Sequence, residues 1–177
     1  MSAQPIDVYC SAEPSVVFQW TMDECAESSV MRNLISDLCQ QQQPIGVDAC
    51  SGQELAILTS LVKRLSSAGA DPETLAYLAG LEQPELLVQQ PLWIEQELRG
   101  VVPLSPILQL ALYLDMPRIS AVLSHALARK ISTIHESAYT VQSAVAAVRR
   151  LLGIQSDFTE IQETELMADN CSVMFIK

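Results

Sequence analysis

Leu104-Ser-Pro-Ile-Leu-Gln-Leu-Ala-Leu-Tyr-Leu-Asp115 is the stretch on which the fold turns. It carries no charge before its last residue and is apolar on nearly every side. A helix apolar all round is covered by its neighbours, so this segment is expected to be the central helix of a domain. Pro106 fits its first turn, where the missing N–H has no helical partner anyway. Asp115 followed by Met116-Pro117 marks its end, because the residue before a proline is pushed out of helical geometry.

Outward from this helix, the clearest amphipathic pattern lies just C-terminal. Ile119, Val122, Leu123, Ala126, Leu127 and Ile131 recur on one face. Ser132 to Tyr139 is polar and reads as a loop, with a helix as the alternative. Val141 to Leu152 is the next helix, with Val141, Val145, Val148 and Leu152 expected inward. Arg149 and Arg150 suit its C-terminal end, where the dipole favours cations, and Gly153 can close it in the left-handed conformation. A last helix is expected over about Glu160 to Asp169, where Thr159 and Gln162 have capping-box spacing. Its apolar stripe is thin (Ile161, Leu166, Met167), so it should fray or wait for a partner.

On the N-terminal side, Asp71-Pro72-Glu73 starts a helix, with Leu75, Leu78 and Ala79 as its apolar edge and Gly80 as a possible end. A weaker segment, Glu82 to Gln90, follows it. Ser51 and Glu54 have capping-box spacing before a helix with Leu55, Leu58, Leu61, Val62 and Leu65 inside and Lys63 and Arg64 in water. Ser29 to Cys39 is a helix that Ser28 or Ser29 can cap. Ile6 to Ser11 and Val16 to Thr21 alternate apolar and polar residues around a Pro-containing turn and read as a hairpin. Pro44 to Asp48 is a candidate third strand. The expectation is therefore an α+β fold, mostly helical, with a small N-terminal sheet.

Composition narrows the function. Of 177 residues, 49% are hydrophobic and 5% aromatic, which suits an aliphatic core between helices. The net charge is −11, from 21 acidic and 10 basic residues. A negative chain repels phosphate backbones and anionic lipid, so neither nucleic acid nor membrane is an expected partner. No stretch is long and apolar enough to span a bilayer, and the first residues lack a basic region followed by an apolar one, so no signal peptide is expected. The five cysteines, Cys10, Cys25, Cys39, Cys50 and Cys171, include no Cys-x-x-Cys pair. Free thiols in a reducing compartment, cytoplasm and nucleus, are the expectation. Cys171-Ser-Val-Met174 resembles a prenylation box, but Phe175-Ile-Lys177 follows, and that signal must be terminal. His125 and His135 have no Cys or carboxylate at ligand spacing, so neither a metal nor another cofactor is expected. A cysteine paired with a histidine could act as a thiol nucleophile, although no local motif supports such an enzyme.

Several motifs occur in a familiar order: Trp93 with Glu95-Gln-Glu-Leu98, Ala111-Leu-Tyr-Leu-Asp115, Val148-Arg-Arg-Leu-Leu-Gly-Ile154, then Asp157-Phe-Thr-Glu160. This resembles the S-phase kinase-associated adaptor family, the adaptor subunits of SCF ubiquitin ligases. The likeness covers most of Trp93 to Asn170 as a pattern, and residues 6–65 by order of elements alone. It implies a BTB/POZ domain over residues 1–131 and a two-helix C-terminal extension over 132–177. It also implies two surfaces. Val148, Leu152, Ile154, Phe158, Ile161 and Asn170 correspond by position to residues that clasp an F-box protein. Leu112 and Tyr113 fall where the family's Asn-Tyr pair meets the N-terminal helices of a cullin, and a second copy could pair through the POZ domain.

The chain departs from the family's pattern in four places. Leu112 stands for the asparagine, residues 71–90 replace an acidic loop, extra residues fall near Ser132 to Tyr139, and the terminal Trp-Cys is absent. The expected function is a non-enzymatic adaptor bridging F-box proteins to a cullin. The alternatives are a mimic that sequesters or redirects F-box proteins without cullin, such as a secreted effector in a host cytosol, and, least of all, a thiol enzyme. Trp93 is expected to be structural.

Overall fold

The computed structural model describes residues 5–37, 43–48, 50–67, 71–82, 89–155, 159, 161–162 and 164–165, with residue 82 described by its backbone alone. The N-terminal hairpin forms as β1 (Ile6–Cys10) and β2 (Glu13–Trp20), paired antiparallel with Val8 opposite Phe18 and Ile6 opposite Trp20. The chain turns at Ser11 and Ala12, and a bulge lies between Tyr9 and Cys10, so Pro14 falls inside β2 and not in the turn. β3 (Ile45–Val47) adds in parallel to β1, giving the order β2-β1-β3. Alternation puts Val8, Cys10, Trp20, Ile45 and Val47 inward, against the helices.

Among the described residues, two helices lie between β2 and β3. The first, α1 (Met22–Ala26), has no counterpart among the sequence expectations. A reciprocal cap starts it: Glu24 N–H donates to Thr21 Oγ1 at 3.2 Å, and Thr21 N–H donates to Glu24 Oε2 at 2.7 Å. The second is α2 (Ser29–Asp37), where Ser28 is the cap, its Oγ accepting from Met31 N–H at 3.0 Å. Next, α3 (Gly52–Ser67) opens with the expected box between Ser51 and Glu54 and buries Leu55, Leu58, Leu61, Val62 and Leu65. It also buries Thr59, whose hydroxyl accepts from Trp20 Nε1 at 3.1 Å and so ties the helix to the sheet edge.

α4 (Pro72–Glu82) is capped by Asp71 as expected, but it presents a different face. Leu75 and Ala79 are exposed and Leu78 is half-buried, whereas Thr74, Tyr77 and Gly80 are buried. Polar pairing turns it that way. Trp93 Nε1, on α5 (Leu92–Glu97), donates to Thr74 Oγ1 at 3.0 Å, and Tyr77 Oη lies 2.8 Å from His125 Nδ1. The helix runs through Gly80 to Glu82, so that glycine does not end it.

α6 (Ser105–Tyr113) has Pro106 in its first turn, as the sequence suggests, and packs between α3 and α7 (Pro117–Ser137). Leu104, Ile107, Leu110, Ala111 and Leu114 are buried. The helix is not covered all round, however: Leu112 and Tyr113 are 61% and 58% exposed. α7 resolves the alternatives for residues 132–139 in favour of a helix as far as Ser137, and it passes unbroken across residue 131. α8 (Val141–Leu152) then folds back on α7 and is closed by Gly153 at φ +67°. The result is a mostly helical α+β fold with a small three-stranded sheet. Among the described residues, no helix is long and apolar enough to cross a membrane.

Candidate functional site

The corner between α6 and α7 is built to hold a left-handed residue. Asp115 has φ +49°, an uncommon conformation for a residue with a side chain. The neighbours define it from several sides. Met116 N–H donates to Ala111 O at 2.9 Å, Ser29 N–H donates to Asp115 O at 3.2 Å, and Ser29 Oγ donates to the Asp115 carboxylate. Beneath, the buried Ser28 hydroxyl donates to Leu114 O at 2.5 Å. Arg118 at the start of α7 pairs with Glu27 at 2.6 Å, just before α2. The α6 C-terminus is thus fixed against α2, and it presents Leu112 and Tyr113 to solvent, side by side. Both residues of the expected cullin-facing pair therefore lie together on the surface.

The other end of α6 meets α8. Leu104 N–H donates to Leu151 O at 3.0 Å, and Ser105 Oγ donates to Leu152 O at 2.5 Å. α8 begins with a reciprocal cap between Thr140 and Ser143. Its buried residue is Leu151; Val145, Val148 and Leu152 are half-buried and Val141 is exposed, so the expected inward set is only partly inward. The helix is anchored through its last turn, which rotates Leu151 toward α6 and leaves the valines at the margin. Ile154 is 55% exposed beside them, and Ile161 is 72% exposed. Thr159 and Gln162 make the expected cap, with Thr159 N–H donating to Gln162 Oε1 at 3.0 Å. Of the residues expected to face an F-box protein, Val148, Leu152 and Ile154 come together around Gly153; Phe158 and Asn170 lie outside the described residues.

Sequence reasoning missed Pro103, which lies against Gly153. Pro103 is exposed beside Gly153, where a glycine Cβ would meet its ring carbons at 3.1 and 3.2 Å. The signal available was Val101-Val-Pro103, an apolar run that a proline keeps out of the helix. It shows that the segment is irregular, not what it touches.

Cys10 and Cys25 are buried. Burial, then the Glu24 carboxylate, pushes the Cys25 thiol up to about 11. Burial, with Cys10 and nearby carboxylates, pushes Cys50 up to about 12. A thiol held protonated at neutral pH is a poor nucleophile. Among the described residues, no three His, Cys, Asp or Glu side chains gather as a metal site would need. An open cleft beside β2 and α3 is lined by Gln19, Thr21, Glu24, Ser60, Lys63 and Arg64. Several of its polar groups are already engaged: Arg64 and Ser60 with Glu97 at 3.5 and 2.7 Å, and Glu24 in the α1 cap.

Fold and surfaces together define the class: a mostly helical α+β protein that presents apolar surface at both ends of one buried helix. No protein-family model matches the chain, and no curated protein matches it either.

Proposed function

We propose that the protein is a non-enzymatic adaptor of an SCF-type cullin ubiquitin ligase. In this reading an F-box protein binds at the α8 end and a cullin N-terminal domain at the Leu112–Tyr113 end. The observation that carries it is the placement of these residues at opposite ends of α6. The helix has nine residues, and a helix of that length separates its ends by on the order of 12 Å. Two partners held on one rigid element stay at a fixed separation, which raises the effective concentration of a bound substrate near the ligase. Apolar helices of an F-box would gain affinity by laying one face on Val148, Leu152 and Ile154. The order of motifs from Trp93 to Glu160 supports the same assignment.

Leu112 favours a second reading. An exposed leucine stands where the resemblance implies an asparagine, so the amide hydrogen bonds of that position cannot form. The protein would then hold F-box proteins without a cullin and sequester or redirect them. A pull-down with a purified F-box domain and a cullin N-terminal domain, each alone and then together, separates the readings. The adaptor predicts that both bind, that Tyr113→Ala loses only the cullin and that Ile154→Asp loses only the F-box domain. Binding of the F-box domain alone supports the sequestering role, with Leu112→Asn as the reversion to try. Binding of neither removes both readings.

A further inference from the structure

Basic residues are scarce in this acidic chain, and two of them stand side by side on an open face. Lys63 and Arg64 are exposed near the end of α3 and line the cleft beside β2, together with Ser60 and Ser67. Ser67 is the last residue of α3 and is itself exposed. Lys63 and Arg64 precede it by four and three residues, the spacing that brings side chains to one helix face. A hydroxyl with cations at these positions on its N-terminal side has the charge pattern that base-directed protein kinases select.

Three serines compete for that description, and the fold separates them. Arg64 and Arg129 are the arginines followed three residues later by a serine, Ser67 and Ser132, and Ser66 adjoins the first. Ser66 Oγ is buried. Ser132 lies inside α7, with helix on both sides of it. A kinase takes its acceptor in an extended segment, so a helix has to open around the serine. Opening costs least at a helix end, where the last carbonyls have no partner within the helix. Ser67 sits at such an end, and its hydroxyl makes only a local bond, donating to Arg64 O at 3.0 Å. In the sequence Ala68-Gly-Ala70 follows, which brings neither charge nor bulk next to the acceptor.

We propose that Ser67 is a phosphorylation site for a base-directed serine/threonine kinase, with Lys63 and Arg64 as the residues it recognises. In that step Ser67 Oγ attacks the γ-phosphorus of ATP and the bond to the bridging oxygen breaks. ADP leaves, and the hydroxyl proton passes to the base of the kinase. The product carries about two negative charges at the C-terminal end of α3, where the helix dipole disfavours them. Lys63 and Arg64 offset that cost. Arg64 holds Glu97 of α5 at 3.5 Å in a partly exposed pair, and a phosphate, with more charge than a carboxylate, competes for the same guanidinium. Glu97 keeps the hydrogen bond from Ser60 at 2.7 Å. The modification therefore exchanges a tie between α3 and α5 for one within α3.

The test incubates the folded full chain with ATP and a purified calmodulin-activated kinase, which selects arginine three residues before its serine, and maps the sites by peptide mass spectrometry. Ser67 is expected to take the phosphoryl group. Ser67→Ala should lower the initial rate by about tenfold or more, while Ser66→Ala and Ser132→Ala leave it unchanged. Synthetic peptides of residues 60–74 and 125–139 serve as open references. Both carry the arginine spacing, so both should be labelled at similar rates, and only folding should favour Ser67 over Ser132. Arg64→Ala should lose the labelling in chain and peptide alike. Equal labelling of Ser67 and Ser132 in the folded chain overturns the proposal, as does labelling at Ser66 instead. So does a folded chain that stays unlabelled while its peptides react, or a 60–74 peptide that does not react at all. None of these readouts needs an F-box protein or a cullin, so they and the pull-down fail independently.

Discussion

Ser28 is one side chain that serves two segments. Its hydroxyl accepts from Met31 N–H at the start of α2 and donates to Leu114 O at the end of α6, and it is fully buried. Ser28→Ala leaves a buried donor and a buried acceptor without partners, an expected loss of about 2 kcal/mol in urea unfolding. Tyr113→Ala removes an exposed side chain and is expected to change stability by no more than about 0.5 kcal/mol. Leu110→Ala, one turn earlier but buried, should cost about 3 kcal/mol. A binding loss at Tyr113 would therefore not be unfolding in disguise. The Tyr77–His125 contact adds a pH dependence. Burial, then the Arg129 guanidinium, holds the His125 imidazole below its ordinary value of 6.5, while burial pushes the Tyr77 phenol up to about 12. The unfolded chain then takes up the His125 proton before the folded one does. The stability this site contributes is fully present above about pH 6.5 and is lost as pH falls from there through the lower folded value. His125→Asn should flatten that part of the stability–pH curve, measured by urea unfolding at a series of pH values between neutral and mildly acidic.

At the scale of elements, local chemistry was readable and tertiary choice was not. The caps at Ser28, Ser51, Asp71 and Thr159 and the left-handed Gly153 all follow from residues within a few positions of one another. α1 was missed although Thr21 and Glu24 carry the same box, because five residues hold too little apolar periodicity to register as a helix. α4 was placed correctly and turned wrongly. Its leucines are spread around the helix, and the contacts that choose a face, Trp93 to Thr74 and His125 to Tyr77, come from distant parts of the chain. α6 shows the limit of composition: apolar on every side means that burial is permitted, and Leu112 and Tyr113 show that it is not always used. The candidate site was legible to the same degree. A helix end and its exposed residues can be read locally, but the contact of Pro103 with Gly153 needs the fold. That contact also supplies an element-level test. Gly153→Ala would put a methyl group within 3.1 Å of the Pro103 ring at φ +67°. The left-handed conformation alone costs a side chain about 1–2 kcal/mol. The variant should lose at least that much stability and shift the amide resonances of Leu104 and Ser105, while those of Leu112 and Tyr113 stay in place.

For the whole molecule, the question is whether its two ends communicate. α6 is pinned at both ends, by Ser105 to Leu152 on one side and by Ser28 to Leu114 on the other, and its middle is buried against α3 and α7. Close-packed interiors yield little to a ligand on the surface, so binding at one end has no second arrangement of the frame to select. If the protein is the adaptor proposed above, it acts by distance alone, and its two binding free energies should add. Calorimetric titration of an F-box domain, with and without saturating cullin N-terminal domain, is expected to give affinities that agree within about twofold, a coupling below about 0.5 kcal/mol. The double variant Tyr113→Ala with Ile154→Asp should lose each partner by the same factor as the single variants, since the sites share no side chain. A coupling of tenfold or more would mean that α6 or the Asp115 corner moves between two states. Ser28→Ala, which loosens that corner without touching either surface, would then change the coupling and, through the same equilibrium, the affinity for each partner alone.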